Sequence, residues 1–284
     1  MFSPFYAWSR RHGAGKPQQH VALNAVLYGR RKRWAMTERG SGALDAGPQH
    51  LSIGPSALAW DGDVLTVNIE EVAVPWPARI RGTVRVHPAA LPGQGFALDD
   101  AGRHRWSPIA PVSRVEVALD SPALSWSGPG YLDTNSGIAA LEDDFVYWDW
   151  CRAPTDAGAT ILYNASRRVG GEQALALRVA RDGGLERMEP PPPAPLPRTL
   201  WRMVQGTRAD AGHTPALRQR LEDTPFYARS VIGTRLYGED VAAVHESLSL
   251  DRFRAPWVQA MLPFRIPSKW GSAPSPSSFG RGSG

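Results

Sequence analysis

The chain has 284 residues, of which 42% are hydrophobic and 21% charged, as is ordinary for a soluble globular protein with a core of its own. Its single cysteine, Cys151, excludes an intramolecular disulfide and zinc sites built from cysteine clusters, and it suits a reducing compartment. The net charge is +5, and because neither an 18-residue apolar stretch nor a secretory signal pattern occurs, we expect no membrane-spanning segment and no export.

Basic residues are concentrated near the start of the chain, in the pair Arg10-Arg11 and in the run 30–33. The run lies between Tyr28 and Trp34, which predicts a hairpin turn or a lip that faces a membrane. The positive charge allows three interpretations: an anionic membrane surface, a nucleic acid, or a basic protein without a charged partner.

Alternation of apolar and polar residues, the pattern of a half-buried antiparallel strand, recurs along the chain. The clearest instances are residues 65–70, 79–87, 115–119 and 175–179. Turn signals rich in Gly, Asp and Pro separate them, at residues 61–63, 92–95 and 182–184. A further hairpin is predicted where Gly238-Glu239-Asp240 separates residues 229–237 from residues 241–248.

Helical signals are few and predict only short helices, at residues 214–222 and 255–262. The first has Thr214 as its cap and Pro215 at its first helical position. The proline-rich run 189–197 predicts a rigid surface connection, with a ligand for a proline-binding module as the alternative.

These signals together predict an all-β fold with a few short helices. The strand runs before and after about residue 130 would each suffice for a small barrel. We therefore expect two β domains in tandem, at residues 1–130 and 131–270, followed by a disordered tail at residues 271–284.

The segment from residue 131 to 152, YLDTNSGIAALEDDFVYWDWCR, combines five carboxylic acids with five aromatic residues. Rings favour burial and carboxylates resist it, so a carboxyl group held among rings has a raised pKa. Such a group can act as a general acid near neutral pH, and the rings can stabilise a cation. The segment is the strongest candidate for a reaction site.

Strand alternation assigns the side chains of this segment to faces. Tyr131, Asp133 and Asn135 share a face if the chain is extended, so a hydroxyl and an amide can hold a water beside a proton donor; a turn is the alternative. Farther along, alternation predicts one face with Phe145, Tyr147, Asp149 and Cys151, and an opposite face with Val146, Trp148 and Trp150. Asp149 is then either a site residue or a solvent-facing residue at a barrel rim.

Other catalytic patterns are missing from the sequence. The seven histidines show no metal-binding spacing, and His245 beside Glu246 is interpreted as a structural histidine, with pairing to a carboxylate as the alternative. Glycine-rich nucleotide loops and the GxSxG motif do not occur. The residues therefore favour acid–base chemistry without a metal, a nucleotide or a covalent nucleophile.

Five segments in this order resemble the carotenoid 1,2-hydratases, also called hydroxyneurosporene synthases, of purple phototrophic bacteria. They are FSPFYAWSRR, HVALNAVLYG, RWAMTERG, GYLDTNSGIAALEDDFVYWDWCRA and VHESLSLDRFRAPWVQAMLPFRIP. The resemblance extends from Phe2 to about Pro267. It implies a pair of lipocalin-like antiparallel β-barrel domains and cofactor-free addition of water across the terminal C1–C2 double bond of an acyclic carotenoid such as neurosporene or lycopene.

The wider superfamily, which includes fungal pericyclases, often shows a Tyr-x-Asp-x-Asn-x-Gly segment followed by Trp-x-Trp-x-Arg. The corresponding residues here are Tyr131, Asp133, Asn135 and Gly137, then Trp148, Trp150 and Arg152. Some relatives have His and Trp where this chain has Thr134 and Ser136, a departure that indicates a different substrate.

The resemblance and the chemistry of alkene hydration together suggest roles. Asp133 is the leading proton donor, Asp149 is its rival or a water-orienting partner, and Asp144 is the third candidate. The candidate substrate-binding residues are Tyr131, Asn135, Trp148, Trp150 and Tyr147. No metal or other cofactor is expected.

The expected partners are an acyclic carotenoid and a membrane surface, because the substrate is resident in a bilayer. We expect a cytoplasmic protein held peripherally at the inner or intracytoplasmic membrane through its basic N-terminal segments and exposed aromatic residues. A non-catalytic lipocalin-like carrier of carotenoid or lipid is the alternative, followed by a hydratase or cyclase of smaller isoprenoids. Nucleic-acid binding is not expected, because the basic residues lack a recognition helix or stacking platform.

Overall fold

The computed structural model describes residues 3–13, 15–30 and 32–269, in which β-strands predominate and helices are short. The predicted disordered tail at 271–284 lies outside the described residues. Within this part of the chain, no helix is long and apolar enough to cross a membrane.

The chain divides into two compact units. The first comprises Met1–His87, Val115–Gly128 and Ala260–Gly284; the second comprises Pro88–Arg114 and Pro129–Gln259. The expected domain boundary near residue 130 stays a prediction.

The elements up to the long central hairpin are one helix and eleven strands: α1 (Pro4–Arg11), β1 (Asn24–Leu27), β2 (Arg33–Met36), β3 (Glu38–Arg39), β4 (Leu44–Gly47), β5 (His50–Ile53), β6 (Ser56–Trp60), β7 (Leu65–Val72), β8 (Arg79–Pro88), β9 (Phe96–Ala97), β10 (His104–Ser121) and β11 (Ala123–Gly137). An eight-stranded sheet has the order β11-β10-β8-β7-β6-β5-β4, with β9 paired to β10. The basic run 30–33 falls at the β1–β2 connection, where Leu27 pairs with Arg33, so the predicted hairpin is confirmed.

The first unit combines an apolar core with buried charges. Ile80, Val117 and Leu119 pack in the core cluster with Ala25 and Ala35. Elsewhere in the unit, the buried carboxylate of Glu71 accepts hydrogen bonds from Arg39 (2.8 Å) and from Ser56 (3.0 Å). These bonds satisfy a charge that is costly to bury alone.

The remaining elements are three helices and ten strands: α2 (Leu141–Asp144), β12 (Phe145–Thr155), β13 (Gly158–Arg167), β14 (Glu172–Ala180), β15 (Leu185–Met188), β16 (Pro193–Leu196), β17 (Gln205–Arg208), β18 (Ala216–Asp223), β19 (Tyr227–Leu236), β20 (Glu239–Ser249), α3 (Leu250–Arg254), α4 (Pro256–Met261) and β21 (Ser268–Lys269). A seven-stranded sheet in the second unit has the order β15-β14-β13-β12-β20-β19-β18, and β16 pairs with β17. Strand pairing among the described residues closes neither large sheet into a barrel.

The strand predictions agree with the sheets. The alternating segments form β7, β8, part of β10 and β14, and β19 and β20 form the predicted hairpin, with Leu236 paired to Glu239. Its two-residue turn, Tyr237-Gly238, has positive φ at both positions (53° and 87°), which suits the twist of a tight hairpin. The predicted helix at 255–262 is confirmed as α4.

The predicted helix at residues 214–222 is wrong. These residues enter β18, which pairs antiparallel with β19 through two register shifts. Backbone pairing with a neighbouring strand outweighs the local helix signal of Thr214-Pro215, since intrinsic propensities differ by less than about 1 kcal/mol per residue. The proline-rich run contributes β16, whose Leu196 is buried in the core of the second unit.

Candidate active site

The sheet of the second unit separates the predicted site residues into two groups. In the register of β12 and β13, Trp150 pairs with Tyr163 and Asp149 with Asn164. Cross-strand partners share a face and successive residues alternate. Trp148, Trp150 and Tyr163 therefore lie on one face, which we call the tryptophan face, and Asp149 and Asn164 lie on the other, the Asp149 face.

A β-bulge changes the predicted face of one residue. Phe145 pairs with Arg167, whereas Tyr147 pairs with Ser166, so Val146 is an extra residue in β12. Phe145 consequently faces away from Tyr147, and its ring contacts that of His104 (5.0 Å between centroids). The predicted grouping of Phe145 with Tyr147 is wrong for this reason.

Asp133 is held by two donors on a single oxygen. Its Oδ2 accepts from Trp106 Nε1 (2.7 Å) and from the Tyr131 hydroxyl (2.8 Å). Its Oδ1 accepts no hydrogen bond from the part of the chain that the structure describes. β10 contributes Trp106 and β11 contributes the other two side chains, so the pairing of these strands assembles the group.

Aromatic rings surround this carboxyl group. The ring centroid of Tyr163 lies 5.3 Å from that of Trp106 and 5.7 Å from that of Trp148. The ring centroids of Tyr131 and Trp150 are 4.9 Å apart. The indole nitrogens of Trp148 and Trp150 are buried without a hydrogen-bond partner in the described residues. Asn135, a predicted substrate-binding residue, also lies in this group, because its Oδ1 accepts a hydrogen bond from the Tyr163 hydroxyl (3.3 Å).

The electrostatics of Asp133 combine two opposing effects. Burial raises the pKa of its carboxyl group, while the bonds from Trp106 and Tyr131 lower it. Burial and the neighbouring Asp133 charge raise the pKa of Tyr131, which therefore remains a protonated donor. Burial therefore makes the carboxyl group a weaker acid than one in water, and its conjugate base is hydrogen-bonded when it forms.

Asp144 lies beside this group in a separate ionic cluster. It binds Arg103 and accepts from His104 Nε2 (2.6 Å), and His104 is buried. His104 and Trp106 are two positions apart on β10, so they share a face and lie about 7 Å apart along the strand. His104 Nδ1 has no hydrogen-bond partner among the described residues.

The structure gives a reason for the glycine, Gly137, at the last position of the Tyr-x-Asp-x-Asn-x-Gly segment. A Cβ atom on this residue would lie 2.7 Å from His104 Nδ1 and 2.9 Å from the Arg103 carbonyl oxygen. Only glycine permits this close approach of β11 to His104.

Arg152, on β12, forms hydrogen bonds with the backbone of β10 and of β11. Its buried guanidinium donates to the carbonyls of Pro111 (3.1 Å) and Gly130 (3.3 Å), and it lies over the Tyr131 ring (5.8 Å). Arg152 therefore positions the backbone next to Tyr131, which accounts for the arginine of the Trp-x-Trp-x-Arg segment.

Asp149 belongs to a different pocket of about 320 Å³ on the Asp149 face, lined by polar and charged side chains together with Pro193, Ala194 and Pro195. Its Oδ1 accepts from Asn164 Nδ2 (2.7 Å), and Asn164 in turn accepts from Arg208 Nε (2.5 Å). Burial raises the pKa of Asp149 to about 7. Tyr147, predicted to bind substrate, lines this pocket rather than the tryptophan face.

His245 is a structural histidine, as the preferred interpretation of the sequence predicts. Its Nε2 lies 2.8 Å from the Gly206 carbonyl oxygen and 3.9 Å from Asp149 Oδ1. Complete burial lowers its pKa to about 4, so the ring is neutral at physiological pH.

The structure thus brings together Asp133, Tyr131, Asn135, Trp148 and Trp150, and it places Asp149 and Tyr147 across the sheet. Sequence reasoning missed His104 and Trp106. They precede Asp133 by more than 25 residues, and only their i, i+2 spacing next to an alternating run could have indicated a shared strand face.

Comparisons with known proteins identify the family. The model of the family described as carotenoid hydratase CrtC matches residues 1–274. The acyclic carotenoid 1,2-hydratase of Thiocapsa roseopersicina is 55% identical over 94% of this chain and 66% of its own length; that of Rubrivivax gelatinosus is 46% identical over 95% and 67%. The enzyme of Cereibacter sphaeroides is 40% identical over 95% of this chain and 96% of its own length.

This chain therefore spans about two thirds of the length of the first two relatives and nearly all of the third. The matches cover the strands that carry Asp133, Trp106 and His104. On this evidence the chain belongs to the carotenoid hydratase CrtC family.

Proposed function

We propose that the protein is an acyclic carotenoid 1,2-hydratase, a hydro-lyase that adds water to the terminal C1–C2 double bond without a metal or other cofactor. The observation that carries the proposal is the Asp133 carboxyl group, half-buried among rings, with both donors on one oxygen. Substrates of the neurosporene and lycopene type fit the names of the relatives.

The first step is protonation of the alkene by Asp133. The neutral carboxyl group carries its proton on Oδ1, because Oδ2 already accepts two hydrogen bonds. The C1–C2 π electrons form a bond from C2 to that proton, which leaves a tertiary cation at C1. Trp106 and Tyr131 stabilise the carboxylate that remains.

The rings of the tryptophan face stabilise the cation. Trp148, Trp150 and Tyr163 present π systems around the acid, and a cation over an aromatic face gains up to about 2 kcal/mol when desolvated. A carboxyl group with such rings beside it, as Asp133 has, is therefore a better proton donor to the alkene than a carboxyl group without them.

The second step is capture of the cation by water. The water oxygen forms a bond to C1, and one water proton passes to His104 Nδ1, whose Nε2 is oriented by Asp144. Return of that proton to Asp133, through a further water, restores the resting enzyme. Asn135 holds the attacking water from the strand that carries Asp133.

Asp149 is the second candidate for the acid, because its pKa of about 7 suits proton transfer at neutral pH and it lines a pocket. Two features weigh against it. The pocket also contains the permanent cation of Arg208, which repels a carbocation, and Tyr147 is its single aromatic residue.

The proposal includes the setting of the reaction. The substrate is resident in a bilayer, so we place the protein in the cytoplasm at the surface of the inner or intracytoplasmic membrane, with Arg10, Arg11 and the β1–β2 turn as contacts. For the fold, we propose that the two β units are distorted relatives of lipocalin-like barrels, on the strength of their antiparallel meanders.

The test compares Asp133→Asn with Asp149→Asn on lycopene or neurosporene in liposomes, without an added cofactor. Both changes preserve shape and remove the acid. We expect Asp133→Asn to lower the turnover by about 1000-fold, within the range of general acid catalysis, and Asp149→Asn to lower it less than tenfold. The reverse order would transfer the role to Asp149, and a wild-type protein that binds the polyene without product would indicate a carrier.

A further inference from the structure

A turn in the second unit exposes large apolar side chains. We call residues 198–204 the Trp201 turn. Leu200 is 90% exposed, Val204 63% and Trp201 43%. Burying such side chains is favourable by an amount proportional to their apolar area, so their exposure in a folded unit indicates a surface that meets a partner.

The turn is held in this conformation by hydrogen bonds. The Arg202 amide donates to the Thr199 carbonyl (2.8 Å), and the Leu200 amide donates to Asp223 Oδ2 (2.9 Å). The Arg252 guanidinium, from α3, donates to the carbonyls of Trp201 (2.7 Å) and Arg202 (3.2 Å). Arg202 also has a positive φ of 59°, which is uncommon outside glycine. These hydrogen bonds hold the backbone of Leu200 and Trp201, which form the apolar tip of the turn.

A second tryptophan extends the patch. Trp257, at the start of α4, is 49% exposed and stacks on Trp201 at 6.0 Å. Paired indoles at the edge of an apolar patch suit an interface that is apolar on one side and hydrated on the other.

Three exposed arginines flank the patch. Arg198, Arg202 and Arg254 are exposed, and the first two form no ion pair within the described residues. Nearby carboxylates are engaged: Asp251 pairs with Arg168 (2.6 Å), and Asp223 bonds the turn itself. Cations that flank exposed Trp and Leu complement anionic headgroups.

We propose that the Trp201 turn and Trp257 dock this protein on the anionic surface of a phospholipid bilayer, with Leu200 and Trp201 inserted among the headgroups. The inference rests on the proposed function, since a polyene substrate must be drawn from a bilayer. It names a surface in the second unit that the basic N-terminal segments do not include.

The docking surface lies at the end of the second unit that carries the His104–Asp144 pair. α3, which holds the Trp201 turn through Arg252, also contacts α2, where Arg254 donates to the Glu142 carbonyl (3.3 Å). Asp144, on the same helix α2, binds His104. The docking surface is therefore connected, through α3 and α2, to the residues proposed to activate water.

The test is co-sedimentation of the full chain with vesicles of phosphatidylcholine alone or mixed with phosphatidylglycerol. The variant Leu200→Ser/Trp201→Ser removes the apolar tip. Leu124→Ser/Trp126→Ser, in the first unit, is the control: Trp126 is about as exposed as Trp201 (49% and 43%), and Leu124 also lies at the surface (41%). We expect the first variant to bind mixed vesicles about tenfold more weakly or worse, and the control to bind like wild type.

A second variant, Arg198→Gln/Arg202→Gln, keeps the tip and removes the charge. It should weaken the preference for phosphatidylglycerol and the salt sensitivity of binding, and what remains is the part that Arg10, Arg11 and the β1–β2 turn supply. Undiminished binding of both turn variants, or an equal loss in the control, would overturn the proposal, as would tight capture of a protein partner in place of vesicles.

Hydration of detergent-dispersed lycopene separates this inference from the proposed function. The turn variants should retain that activity while losing hydration of liposomal substrate. A wild-type protein that binds vesicles through the turn but hydrates neither form of lycopene would leave the docking surface in place and reject the hydratase.

Discussion

The two oxygens of Asp133 have different surroundings, and in the proposed mechanism they therefore have different tasks. Oδ2 accepts from Trp106 and Tyr131, whereas Oδ1 is the oxygen without a bond from the described residues. Burial raises the pKa of the group, and the two donors make it a stronger acid than burial alone would permit. An isolated alkene is a weak base, so both properties are needed.

The bond from Tyr131 can be tested by its effect on pH dependence. Tyr131→Phe removes a donor that lowers the pKa of Asp133, so that pKa should rise. The limb of the pH–rate profile where Asp133 loses its proton should move to higher pH, and the maximal rate should fall by about 10- to 100-fold because the carboxylate is less stabilised. Steady-state rates between pH 5 and 9 measure both effects. A lower rate with an unmoved limb would contradict this role of Tyr131.

Asp149 has a consequence for stability. Its pKa of about 7 lies above the ordinary 3.8, so the folded state binds this proton more tightly than the unfolded state does. Its contribution to the free energy of unfolding is present at pH 5 and is lost as the pH rises through 7, by roughly 3 kcal/mol.

The pKa of His245 is lowered to about 4, so its contribution to the free energy of unfolding increases as the pH rises from 5 to 8. This contribution is present in the wild type and in Asp149→Asn, so the difference between the two proteins isolates the effect of Asp149. Urea unfolding at pH 5 and pH 8 should show the wild type losing more stability than the variant. Parallel losses in the two proteins would show that Asp149 is ionised in the folded state throughout.

At the scale of elements, close packing of β11 against β10 sets the position of His104. Gly137→Ala would add a Cβ at 2.7 Å from His104 Nδ1, and a displaced catalytic group can cost up to about 100-fold in rate. We expect kcat to fall by about 10- to 100-fold. Gly128→Ala, on the same strand, is the control, because its Cβ would make only ordinary contacts with the Trp126 ring at 3.4 Å.

The measurement is kcat of both variants on detergent-dispersed carotenoid, with circular dichroism to check that both fold. Equal kcat values for the two alanine variants would show that the approach of Gly137 to His104 is unimportant.

Strand alternation was sufficient to predict β7, β8, β14 and the shared face of Tyr131, Asp133 and Asn135, because period two follows directly from an extended backbone. The bulge at Val146 was not predictable, since a register shift depends on the partner strand. β18 was mistaken for a helix for a similar reason: its conformation is set by pairing with β19.

The candidate site shows the same limit. Asp133 and its tryptophan neighbours are close in sequence and could be grouped, whereas Trp106 and His104 reach them only through the pairing of β10 with β11. That Asp149 is separated from Asp133 by a sheet was likewise inaccessible without the register of β12 and β13.

At the scale of the molecule, the second unit contains Asp133, Asp149, the His104–Asp144 pair that we propose activates water, and the Trp201 turn. The two faces of its large sheet have different chemistry: aromatic rings surround Asp133, whereas Asp149 is hydrogen-bonded to Asn164, which binds Arg208. This division predicts that substitution of Asp149 lowers turnover far less than substitution of Asp133.

The most direct measurement is incubation of the wild-type protein with liposomal lycopene in water enriched in ¹⁸O, without an added cofactor, followed by mass spectrometry of the carotenoid. Protonation at C2 and capture of the C1 cation by water predict a tertiary alcohol that carries one labelled oxygen per hydrated end. An unlabelled alcohol, or lycopene recovered unchanged although bound, would contradict hydration by this protein.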